Sequence, residues 1–139
     1  MTSKLQIALL LAAAGAVSGC AAPTRADPEH FRSRDVGMIL KTAIPAFGDC
    51  VLDGFNPLQG IAFSRRKVQQ QRRSTGLRID TLVADGTILL VSVDVGDDGR
   101  VEFFESTFMR LSNKEPEFEV FSACKARSAS PQPAASVIK

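Results

Sequence analysis

Leu77-Arg-Ile-Asp-Thr-Leu-Val83-Ala-Asp85-Gly86-Thr-Ile-Leu89-Leu-Val91-Ser-Val93-Asp-Val95-Gly96-Asp97-Asp98-Gly99-Arg100 decides the fold. Leu77, Ile79, Thr81 and Val83 alternate with Arg78, Asp80 and Leu82, and Leu89, Val91, Val93 and Val95 alternate with Leu90, Ser92 and Asp94. A period of two puts one set on a buried face and the other on a wet face. Asp85-Gly86 between the two runs is a strong short hairpin signal. Gly96 to Gly99 makes the next turn, and Arg100 to Phe108 continues with Val101 and Phe103 on one face and Glu102 opposite. Upstream, Ile61 to Arg73 is a candidate strand, closed by a turn at Arg73-Ser-Thr-Gly76. The expected sheet is an antiparallel meander of three or four strands with one face apolar.

Helical spacing flanks this meander. Val36, Leu40, Ile44, Phe47 and Val51 recur every three or four residues. Asp27-Pro28 offers a capping carboxylate followed by proline at a first helical position. Pro45 disfavours a helical Ile44. A helix is therefore expected over about 29–43, then a break, then a second helical piece over about 45–53. Gly54 to Gly60 reads as a loop. From Asn113 to Arg127, acidic residues at the front and Lys125 and Arg127 at the back follow the helix dipole, and Phe118, Phe121 and Cys124 share a helical face. A strand is the rival assignment there, since Phe118 and Val120 also alternate. The expected architecture is α+β, with an N-terminal and a C-terminal helix packed on one face of the sheet.

The chain has 139 residues, 17 Lys and Arg against 15 Asp and Glu. Near-neutral charge gives no general case for nucleic acid or an acidic partner. The first residues carry a different signal. Met1-Thr-Ser-Lys4 is followed by thirteen uncharged residues, Leu5 to Val17, and then small residues. That is the layout of a secretory signal, and the run is too short to span a bilayer. Val17-Ser18-Gly19-Cys20 resembles the lipobox of bacterial lipoproteins. The resemblance covers the first twenty residues and implies cleavage after Gly19, a diacylglyceryl group on the Cys20 sulfur, and acylation of the new amino terminus. In families that use an aspartate after the cysteine for inner-membrane retention, Ala21 implies the outer membrane. The expected organisation is a signal peptide at 1–19, a lipidated tether at 20–28, a globular domain at 29–127 and a disordered Ser/Pro/Ala-rich tail at 128–139. Removing residues 1–19 leaves 120, with 16 basic against 15 acidic side chains, enough for one modest core.

With Cys20 acylated, Cys50 and Cys124 remain. An even pair in an exported protein reads as a disulfide; the alternatives are two buried thiols or metal ligands, and two cysteines with one distant histidine make a poor zinc site.

Three further features bear on function. Asp94, Asp98, Gly99 and Glu105 fall at positions one, five, six and twelve of a calcium-loop pattern. Gly96 at position three supplies no ligand and the flanks read as strands, so the segment is expected to be a hairpin turn with no metal. Arg65-Arg66-Lys67 with Arg72 and Arg73 places five positive charges in nine residues. On a strand this reads either as a charged edge that blocks aggregation or as a contact for an anionic surface. No aromatic platform accompanies it, which argues against nucleic acid. His30 is the lone histidine, and no nucleophile elbow, phosphate loop or Ser/His or Cys/His constellation is present. The expectation is a lipoprotein on the periplasmic side of the outer membrane that acts as a binding or structural module, is not an enzyme and uses no cofactor. It binds the membrane through acyl chains on Cys20 and has an envelope protein as partner. The alternatives are an accessory subunit or inhibitor of an envelope machine, and a small hydrolase.

Overall fold

The computed structural model describes residues 25–58, 66–84, 86–107 and 113–129. The signal segment, Cys20, the first half of the tether, Arg65, Asp85, Phe108 and the tail from residue 130 lie outside the described residues.

Five strands form one antiparallel sheet: β1 (Phe31–Met38), β2 (Lys67–Arg73), β3 (Gly76–Val83), β4 (Ile88–Gly96) and β5 (Arg100–Ser106). Their spatial order is β1-β5-β4-β3-β2. Two helices, α1 (Ile44–Phe55) and α2 (Glu115–Ala129), contribute side chains to the single core that the sheet also fills. The expected α+β class stands, with the two helices on one face and five strands rather than three or four.

The extra strand is β1, where a helix was expected over 29–43. The apolar spacing that suggested the helix is coincidental: Val36 is half exposed, and only Phe47, Val51 and Phe55 form the buried stripe of a helix. Gly37 in the middle lowers helix propensity. β5 also has an edge that needs partners, and β1 supplies them from Phe31↔Ser106 to Met38↔Arg100, with a bulge at Arg34. Asp27-Pro28 makes a single turn instead of a helix start. His30 N and Phe31 N donate to the Asp27 carbonyl, and Glu29 N donates to the Asp27 carboxylate. After β1, one 3₁₀ turn at Lys41–Ala43 leads into α1. Pro45 lies in the first helical turn, where its missing N–H costs no hydrogen bond. The expected break is thus a helix start.

In the meander the register places Leu77↔Val95, Ile79↔Val93 and Thr81↔Val91 on the core face. A bulge then pairs Leu82 with Leu89 and leaves Leu90 as the extra residue, fully buried. The expected alternation from Leu89 to Val95 is therefore out of phase at its start. Beyond Gly96 it holds: Val101 and Phe103 are fully buried.

The segment Glu115–Ala129 is a helix, not the rival strand. Phe121 is its anchor, packed edge-on to Phe47 at 5.9 Å between ring centroids and against Phe103 at 5.2 Å. The helix runs past the expected boundary at residue 127. Ser128 is buried and its carbonyl accepts from Leu40 N, which satisfies one of the carbonyls a helix end leaves open. Cys50 of α1 and Cys124 of α2 form a disulfide with Cα atoms 6.0 Å apart. It pins the two helices side by side. Among the described residues no helix is long and apolar enough to cross a membrane.

Candidate functional site on the open face of the sheet

The helices cover one face of the sheet. A Cβ on Gly37 would meet the side chain of Lys125 in α2, so Gly37 points to the helices. Its neighbours Val36 and Met38 point to the opposite face, as do Arg78, Asp80, Ser92, Asp94, Glu102 and Phe104 by alternation. Neither helix packs on this open face, although Asp80 and Ser92 at its centre are buried.

Asp94 is the charged centre of that face. Arg78, directly opposite on β3, donates to it from Nε at 2.8 Å. Arg25, from the segment that precedes β1, reaches it from the other side at 2.5 Å. The Arg25 guanidinium also lies 3.6 Å above the Phe104 ring centroid and approaches Ser92 Oγ at 3.5 Å. Arg25 is thus held against the open face by an ion pair and a cation–π contact. Burial pushes the Asp94 carboxyl up, but hydrogen bonds from Arg25 and Arg78 outweigh it and hold the group below the usual carboxylate range. The bond to Asp94 in turn raises Arg78. An arginine-clamped carboxylate with a depressed pKa stays ionised, which suits an electrostatic framework better than proton transfer.

At the turn end of the sheet a cleft of about 740 Å³ opens between the β2–β3 and β4–β5 turns. Arg73, Arg78 and Arg100 line it together with Asp94, Asp97, Asp98 and Glu102. The acidic residues of the calcium-like pattern do not converge. Asp98 accepts from Arg100 N inside the turn, Asp94 is held by arginines, and Glu105 is bound by Arg32 and Arg34 on the helix side. Among the described residues no group of three metal-binding side chains occurs.

The basic cluster is divided rather than gathered. Arg66 turns inward: its side chain is 7% exposed and pairs with the fully buried Glu117 of α2. It also donates to the Asn113 carbonyl at 2.8 Å. Arg66 is therefore a latch between β2 and α2 and presents no free charge at the surface. Burial pushes the Glu117 carboxyl up against the pull of Arg66, and its second oxygen has no hydrogen-bond partner. Lys67, Arg72 and Arg73 are exposed on β2, which is an edge strand as the charge pattern suggested. Arg72 lies 3.6 Å from Asp97, and Arg73 donates to Gln71. His30 lies beside the Asp27 carboxylate, 2.6 Å away.

Sequence reasoning missed two features. One is Arg25, whose partners lie more than sixty residues away in the chain. The other is Val36 and Leu40, whose spacing suggests a shared helix face and which are exposed, with Met38 exposed between them. The weak signal for it was the alternation with Gly37 and Ile39. No family model matches the chain, and neither a curated protein nor a solved structure is similar to it.

Proposed function

We propose that the protein is a lipid-anchored envelope lipoprotein on the periplasmic side of the outer membrane, and that its domain is a binding or structural module rather than an enzyme. The observation that carries this is Val17-Ser18-Gly19-Cys20 at the end of an apolar signal-like run. The Cys50–Cys124 disulfide supports it, since such bonds persist in oxidising compartments. The arginine-clamped state of Asp94 favours recognition over proton-transfer chemistry. Tethering confines the domain to the membrane surface and raises its effective concentration for partners there. The partner is an envelope protein, and the charged cleft at the turn end of the sheet is the surface offered to it.

Crosslinking of the full-length protein in cells, followed by affinity purification and mass spectrometry, tests this alongside a Cys20→Ser form. A defined, stoichiometric partner recovered only with the acylated protein is the expected result. Recovery of the same abundant porins with both forms overturns the partner model.

A further inference from the structure

The three large hydrophobic side chains exposed among the described residues all lie in one stretch: Val36 at 48%, Met38 at 59% and Leu40 at 41%. Val36 and Met38 alternate with Gly37, which faces α2, and so point away from the helices; Leu40 follows just beyond the strand after the core residue Ile39. Lys41 and Arg100 flank them; Met38 is paired directly with Arg100, and both cations are exposed. This edge differs from the opposite one, where β2 carries Lys67, Arg72 and Arg73.

What covers this stripe follows from where the chain leads. Arg25 is fixed over Phe104 and Asp94. Phe104 and Glu102 are successive open-face residues of β5, and Val36 lies opposite Glu102 on the neighbouring strand. Four residues lie between Cys20 and Arg25, so five chain steps join them. Fully extended, they span at most about 18 Å. An acyl group on Cys20 therefore enters the membrane close to the open face and near the apolar edge of β1.

We propose that Val36, Met38 and Leu40 form a membrane-contact edge that rests on the bilayer into which Cys20 is anchored, with Lys41 and Arg100 at the level of the headgroups. Apolar side chains beside a lipid anchor sink into the boundary between headgroups and acyl chains, while flanking cations stay in the polar layer. The contact stands the sheet on its β1 edge, with the basic β2 edge at the other side of the sheet turned away from the membrane. The proposal rests on acylation of Cys20, and the experiment separates the two.

The mature lipidated protein is reconstituted into vesicles of phosphatidylethanolamine and phosphatidylglycerol that contain lipids with a quencher on the acyl chain. A polarity-sensitive fluorophore is placed on Met38→Cys or, as a control on the far edge, on Gln71→Cys; Cys20 is acylated and Cys50 and Cys124 are paired, so each variant has one free thiol. The expected result is flotation of both proteins with the vesicles and quenching at position 38 at least about threefold stronger than at 71, given insertion to the acyl boundary. Adding Val36→Asp and Leu40→Asp abolishes that quenching without releasing the protein. Both are half-exposed positions, and an unchanged melting transition verifies the fold. Flotation with equal quenching at 38 and 71 overturns the membrane contact and leaves the anchor standing. Energy transfer between labelled copies at position 38 without quenching overturns it in favour of pairing through β1. Failure to float removes the anchor and the contact together.

Discussion

Glu117 and Arg66 show how one buried pair reshapes the meaning of a charge cluster. Both side chains are almost fully withdrawn from water, where an ion lacking its partner is costly. Replacing Arg66 by Met is expected to lower stability at neutral pH by about 3–5 kcal/mol, while the double change Arg66→Met with Glu117→Leu recovers most of it. The pH dependence has a definite sign. Burial raises the Glu117 carboxyl, so the folded state binds its proton more tightly than the unfolded chain does. Its contribution to stability is full below the ordinary carboxylate range and declines as pH rises through the raised value. In Arg66→Met that decline is larger and extends to higher pH, and urea midpoints between pH 4 and 8 would show recovery toward the acid side. Asp94 works in the opposite direction. Its two arginines hold it low, so its contribution is present above the ordinary carboxylate range and lost as pH falls through the depressed value. Asp94→Asn is expected to flatten the acid limb of the stability profile; an unchanged limb would show that the clamp contributes nothing.

At the scale of elements, the disulfide and the β2–β3 turn are the points where small changes travel furthest. The Cys50–Cys124 bond closes a separation of 74 residues. Replacing both cysteines by alanine is expected to remove about 4 kcal/mol, read as a shift in denaturant midpoint. Gly76 ends the turn at φ +147°, and a Cβ there would come within 2.0 Å of the Val95 carbonyl oxygen. Gly76→Ala should cost more than about 2 kcal/mol, because main-chain atoms must move. The meander was legible because its residues obey a period of two and its turns carry their own chemistry at Gly96–Gly99 and Gly76. The pairing of Cys50 with Cys124 was legible from the number of cysteines and the expectation of export. β1 was not, because its apolar residues also match helical spacing, and its strand state is imposed by an unpaired β5 edge far along the chain. Arg66 was misjudged for a similar reason. Sequence displays its charge but not the buried carboxylate that faces it from α2.

The described residues form a two-layer domain in which the two helices and their disulfide stiffen one side of the sheet. Arg25 ties the two scales together: it docks the N-terminal segment onto the open face, so the proposed anchor and the apolar edge lie on the same side. The anchor is the premise of the proposed function, and it has a direct test. The full chain would be expressed in a bacterium that processes lipoproteins, extracted from the membrane fraction with detergent and weighed intact by mass spectrometry. The expected mass is that of a chain beginning at Cys20 with a diacylglyceryl group and a further acyl chain. A chain that keeps Met1, or one cut elsewhere with no lipid on Cys20, would contradict it.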